Sequence, residues 1–351
     1  MKYKLSSGAK KILNDPEYIA ERDKGFRDLH AVFERKNEYV QAVNGILGKS
    51  RANMYADPEM WIIECLEDLA KQATINNKTV FRPLCVEYGP YGVHFPDCLL
   101  GAKVYFNEDS QQWYNNYLKN EIGELPECEY KKNPLWILCE RAVNCFLEAE
   151  VSLPVYGLPT VASVLNAAVN IYGQRILEAM LTNEDETMRD LKIINLMLND
   201  IHAFYRAVLP ADILQCVISW NRTQPPGFGQ LCGCTTQLLS ETHYAKFIAG
   251  FDAELLGGYH NGGMIHLCGA HTQHIKTWNA MKQLRSVQLN DRAAKDLGIY
   301  FENLRNDQII YLNPCPEMTI ERAVEITGGD RLVIAGELDC AIPVRRRSNV
   351  K

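Results

Sequence analysis

Apolar positions along the chain fall into two textures that meet near residue 79. Before that point the pattern is helical. Trp61, Ile62, Cys65, Leu66 and Leu69 recur on one helix face, and Asp57-Pro58-Glu59 supplies an N-cap, a proline for the first turn and an acidic start. No strand-like alternation precedes Thr79, so residues 1–78 predict a helical cap. Beyond it, short runs rich in β-branched residues alternate with longer helical patterns. The clearest runs are Thr79–Val86, Val151–Tyr156, Gln215–Trp220, Met264–Cys268, Leu284–Leu289, Gln308–Leu312 and Arg331–Leu338. Helical stretches 271–282, 291–304 and 316–327 separate the last four, with Gly328-Gly329 closing the third. Residues 98–150 follow neither texture and read as an insertion.

Continuous apolar strands alternating with helices imply parallel strands covered on both faces, either in a doubly wound sheet or in a closed barrel. No G-x-G-x-x-G follows the first run, which weakens the dinucleotide-binding alternative. The segment 79–345 has the length typical of a barrel, about 250 residues. The predicted fold is therefore α/β, a (β/α)8 TIM barrel over 79–345 with an N-terminal helical extension over 1–78.

Composition narrows the function classes. With 37 Lys and Arg against 43 Asp and Glu the net charge is −6, and the only basic cluster is Arg345-Arg346-Arg347. That argues against a nucleic-acid partner, and the cluster reads as a solvated tail. No run approaches the roughly 18 apolar residues of a membrane span, and the first residues lack the apolar core of a secretory signal. The twelve cysteines are then expected to be reduced and the protein cytoplasmic, leaving the thiols as core filler, nucleophiles or metal ligands.

The most informative segment is Gly262-Gly263-Met264-Ile265-His266-Leu267-Cys268-Gly269. In a strand, His266 and Cys268 share a face near the C-terminal end, where barrel enzymes keep their active sites, and an imidazole beside a thiolate suits zinc. The alternative is two satisfied core residues. Cys340, in Gly336-Glu337-Leu338-Asp339-Cys340, follows the last predicted strand and would complete a three-ligand catalytic zinc site with one position open. Cys315, and the pair Cys232 and Cys234 in a glycine-rich stretch, compete for that place. His260, His271 and His274 cluster near His266; the last two read as capping or surface residues, or as supports for a ligand. Tyr88, Tyr91 and His94, in a loop after the first strand run, are candidate substrate-binding residues, as is Asn170, one helical turn after Asn166. Gln224–Gln230 reads as a second loop, a possible lid.

The runs Ile265-His266-Leu267-Cys268-Gly269, Gly336-Glu337-Leu338-Asp339-Cys340 and Leu239-Ser240-Glu241-Thr242-His243-Tyr244-Ala245-Lys246-Phe247 resemble the uroporphyrinogen decarboxylase superfamily, mainly over residues 150–342. Within it they look closest to the zinc-containing, corrinoid-dependent methyltransferases. That branch has a His-X-Cys motif and a distant third cysteine, which the 72 positions from Cys268 to Cys340 suit. The resemblance implies zinc on His266, Cys268 and Cys340. It also implies methyl transfer between a small methylated compound (a methoxy-aromatic or methylamine) or thiol and the corrinoid, a cobalamin, of a partner protein. The decarboxylase proper carries an arginine-rich N-terminal motif that residues 1–78 lack, and it uses no metal. A metal-free lyase of that kind and a non-catalytic binding barrel are the two alternatives.

Overall fold

The computed structural model describes residues 2–73, 80–216, 220–336 and 345–346. Its strands are β1 (Gln41–Val43), β2 (Ile46–Leu47), β3 (Leu84–Glu87), β4 (Val104–Asn107), β5 (Gln112–Asn115), β6 (Val155–Gly157), β7 (Leu214–Gln215), β8 (Gly229–Cys232), β9 (Gly263–Leu267), β10 (Leu284–Leu289), β11 (Ile309–Leu312) and β12 (Leu332–Ala335). Apart from the β4–β5 hairpin they form two parallel sheets, in the orders β1-β12-β11-β10-β9-β8 and β2-β3-β6-β7. The sheets meet twice. β1 and β2 are successive pieces of one extended segment, and an isolated bridge joins Ala162 to Cys232, where the Cys232 amide donates to the Val161 carbonyl at 2.7 Å. The arrangement is barrel-like, but among the described residues the strand ladders do not close into a continuous barrel.

Alternation along the strands sorts side chains into two environments. Ile265, Leu267, Val287, Leu289, Ile310, Leu312, Leu332 and Ile334 belong to the large core shared with the surrounding helices. Their neighbours Met264, Tyr311, Val333 and Ala335 face the other way and pack with Val43 into a separate core. Leu29, Val32 and Phe33 of the helix Pro16–Phe33 fill that second core. The N-terminal region is thus part of the strand assembly rather than a cap over it. This corrects the expectation that strands begin after Thr79: β1 pairs with β12 and β2 with β3. Arg346 likewise is no solvated tail, since its amide donates to the Glu38 carbonyl at 2.9 Å and its guanidinium to the Arg35 carbonyl at 2.7 Å.

Local signals read from the sequence hold where they are strong. Asp57 caps the helix Pro58–Gln72 by accepting from the Met60 amide at 3.2 Å. β10 spans the run Leu284–Leu289, and the helix Ile320–Thr327 ends at Gly328, whose φ of 63° favours glycine. The insertion 98–150 holds the β4–β5 hairpin and the helix Pro134–Glu148, which is tied to the helix Pro58–Gln72 by Arg141 on Glu59 at 2.7 Å. Among the described residues no helix is long and apolar enough to cross a membrane.

Candidate metal centre

β8 and β9 run side by side with Cys232 opposite His266, and two glycines permit the approach. A Cβ at Gly263 would sit 2.3 Å from the Gly229 carbonyl oxygen, and one at Gly229 2.4 Å from the Tyr259 ring. Past β8 the chain turns at Gly233 into a short 3-10 helix, Cys234–Leu238, which brings a second sulfur back over the strand end. Cys232 Sγ and Cys234 Sγ are 3.3 Å apart, and with a ring nitrogen of His266 they form a group whose ligand atoms all lie within 4.8 Å of one another. Cys268, one residue beyond β9, lies near Cys234.

His266 is almost fully buried, and its ring is oriented from behind. Gln288 Nε2 donates to Asn313 Oδ1 at 2.9 Å, which turns Gln288 Oε1 toward His266 Nδ1, with which it is hydrogen-bonded. Nδ1 therefore carries the proton and Nε2 keeps its lone pair, where it accepts from Arg222 Nη2 at 3.2 Å. Burial, reinforced by Arg222, holds the imidazole well below its ordinary range, at about 3, so it is neutral at pH 7.

The sulfurs have their own supports. Asn166 accepts from Ser163 Oγ at 2.8 Å and Thr235 Oγ1 at 3.1 Å, leaving its amide nitrogen to face Cys232 Sγ at 3.8 Å. The hydrogen bond with Cys234 holds the Cys232 thiol below its ordinary range, while its partner Cys234 is pushed up. The Cys234 turn is pinned through Thr236. The Gly269 amide donates to His271 Nε2 at 3.1 Å, His271 Nδ1 bonds Thr236 Oγ1 at 2.9 Å, and His274 Nε2 bonds the Thr236 carbonyl at 2.9 Å.

The sequence-derived candidates divide accordingly. His266 lies in the cluster and Cys268 at its edge, whereas Cys340 lies outside the described residues. Cys315 is not a member: it forms a two-residue bridge with Met318 after β11. Cys232 and Cys234, weighed above as competitors for a single ligand position, supply both sulfurs of the cluster. His271 and His274 are fully buried rather than on the surface. Gln224–Gln230 is not a lid, because Gln224 and Phe228 are buried and Gly229 opens β8.

The expected substrate residues fall into separate sets of contacts. Tyr88 points outward from β3, edge-on to Trp61, with its hydroxyl donating to the Met54 carbonyl at 2.5 Å. Tyr91 packs between Tyr55 and Trp113. His94 and Asn170 share a partner, the fully buried Asp97, at 2.7 Å and 2.9 Å on the same carboxylate oxygen. The inward residue missed in this region is Glu87, next to Tyr88. Its Oε2 is sealed from solvent without a hydrogen bond, and burial pushes its carboxyl up to about 8 despite the nearby Arg222.

No known family profile matches the chain, and no curated protein sequence matches it. Its fold, however, is similar to that of a methyltransferase from Methanosarcina mazei, with a TM-score of 0.60 over 90% of this chain and 94% of that one, at 9% sequence identity.

Proposed function

We propose that the protein is a zinc-dependent methyltransferase moving a methyl group between a small methylated compound, or a thiol, and the corrinoid of a partner protein. The observation that carries this reading is the convergence of Cys232, Cys234 and His266 at the ends of β8 and β9, in a fold similar to that of a methyltransferase. Two thiols and a neutral imidazole whose Nε2 carries no proton match the donor preferences of zinc. Cys232, Cys234 and His266 would hold the ion, with Cys268 placed to join or exchange. Cys340 stays a rival third sulfur. An ion held there would supply Lewis-acid chemistry to the atom that gains or loses the methyl group. The chain's own contribution is orientation: Gln288 and Asn313 fix the imidazole, Asn166 faces the Cys232 sulfur, and His271 and His274 lock the turn bearing Cys234. On the same reading the interrupted ring of strands is a (β/α)8-type barrel.

Methylation of free cob(I)alamin tests the activity. Zinc-loaded protein is incubated with methoxy-aromatic, methylamine, methanol and methylthiol donors while the cobalt absorption is followed. Methyl-cobalt formation with at least one donor class, lost in His266→Ala, is the expected result. No turnover with any class, from protein carrying no metal, would turn the reading toward a metal-free lyase.

A further inference from the structure

Arg222 ends the short helical turn Trp220–Arg222 and bonds His266, close enough to Glu87, Cys232, Cys234 and Cys268 to feel their charges. Its Nη2 is spent on His266 Nε2, at 3.2 Å, and its Nε is buried with no acceptor. Nε and Nη2 lie on the same edge of the guanidinium fork, the edge that pairs with a carboxylate through two parallel hydrogen bonds. The lone pair that Nη2 now uses is the one a metal would take from His266. Loading the metal would therefore leave this edge of a part-buried cation, whose Nε is sealed from solvent, without an acceptor, and a buried donor left unpaired is unfavourable.

Glu87 is the nearby acid, yet it makes no ion pair with Arg222 within 4 Å and its Oε2 is unpartnered. Burial keeps its carboxyl largely protonated at neutral pH, so it serves as a donor or neutral neighbour rather than a counter-ion. One layer below, on the same face of β8 as Cys232, Gln230 is fully buried with neither amide atom hydrogen-bonded. A protein interior seldom leaves this many polar atoms unsatisfied unless something else binds them.

Resting on the metal reading above, we propose that the Nε–Nη2 edge of Arg222 is the anchor for a carboxylate on the substrate, so that the methyl donor or acceptor is a small carboxylate-bearing compound. Glu87 and Gln230 would complete the polar floor around it.

Calorimetric titration of the zinc-loaded full-length protein tests this without relying on turnover. The probes are acetate, methoxyacetate and 4-methoxybenzoate, each against its uncharged amide. At least one carboxylate is expected to bind about ten-fold or more tightly than its amide, the scale of a charge-assisted pair. The preference should vanish in Arg222→Gln and shrink in Arg222→Lys, which keeps the charge but loses the two-pronged edge, while zinc content stays unchanged in both. Zinc-loaded wild type with no preference for any of the three carboxylates, or a preference undiminished in Arg222→Gln, overturns the proposal alone. Wild type without zinc overturns the metal reading and removes the premise of this one. Should Arg222→Gln fail to fold, Arg222→Lys decides, an undiminished preference there counting against the proposal.

Discussion

Gln288 decides which nitrogen of His266 stays free, because an amide oxygen facing Nδ1 leaves only Nε2 with a lone pair. Replacing it by alanine removes that constraint without touching a ligand. Gln288→Ala is expected to weaken zinc affinity about 10- to 100-fold, read by competition with a chromogenic chelator. Unchanged affinity would show that packing alone orients the ring. Glu87 carries a prediction of its own. Its pKa rises from 4.5 when unfolded to about 8 when folded, so between those values the folded state holds a proton that the unfolded state has released. Stability relative to Glu87→Gln should therefore be greatest near pH 5 and decline toward pH 8. Urea unfolding of both proteins at pH 5, 6.5 and 8 measures it, and a pH-independent difference would contradict the burial. At this scale the sequence was partly readable. The i, i+2 spacing made His266 and Cys268 visible, but Gln288 and Arg222 meet His266 only through neighbouring elements.

The elements show where pattern reading succeeds and where it stops. β9 to β12 are apolar, rich in β-branched residues and separated by helices, so the sequence alone located all four. β8 escaped because its four residues are Gly229, Gln230, Leu231 and Cys232, which contain one aliphatic side chain and no alternation. β1 and β2, of three and two residues, are too short to show a period. The glycines that disguise β8 are the ones its packing needs. Gly263→Ala would drive a methyl group against the Gly229 backbone and is expected to cost about 1–3 kcal/mol in urea unfolding, with loss of bound zinc as β8 and β9 separate. Gly250→Ala, in the helix Ala249–Gly257 with nothing within 4 Å of the added carbon, should instead stabilise by about 0.5–1 kcal/mol. Similar effects at both glycines would mean the close strand approach has no energetic role.

Across the whole molecule, the helix Pro16–Phe33 packs into a core with residues of the six-stranded sheet, and the Cys/His cluster sits where β8 and β9 of that sheet end. Phe33 lies 4.5 Å from the Phe228 ring and shares a core with Met264, two residues before His266. Phe33→Ala is expected to cost about 3–5 kcal/mol in a single cooperative unfolding transition. A cost below about 1 kcal/mol would restore the view of residues 1–78 as an appended cap. The sequence could not reveal this packing. The stripe Phe26, Leu29 and Phe33 shows a buried helix face, and only the assembled sheet shows what it is buried against.

The central claim is that metal is held by sulfurs on β8 and the turn after it, together with His266. Elemental analysis of the purified protein tests it most directly, comparing wild type with Cys232→Ser, Cys234→Ser, His266→Ala and Cys340→Ser. The account predicts about one zinc per chain in wild type and in Cys340→Ser, and a large loss in each of the other three. Stoichiometric zinc that survives Cys232→Ser and Cys234→Ser but disappears in Cys340→Ser would contradict it.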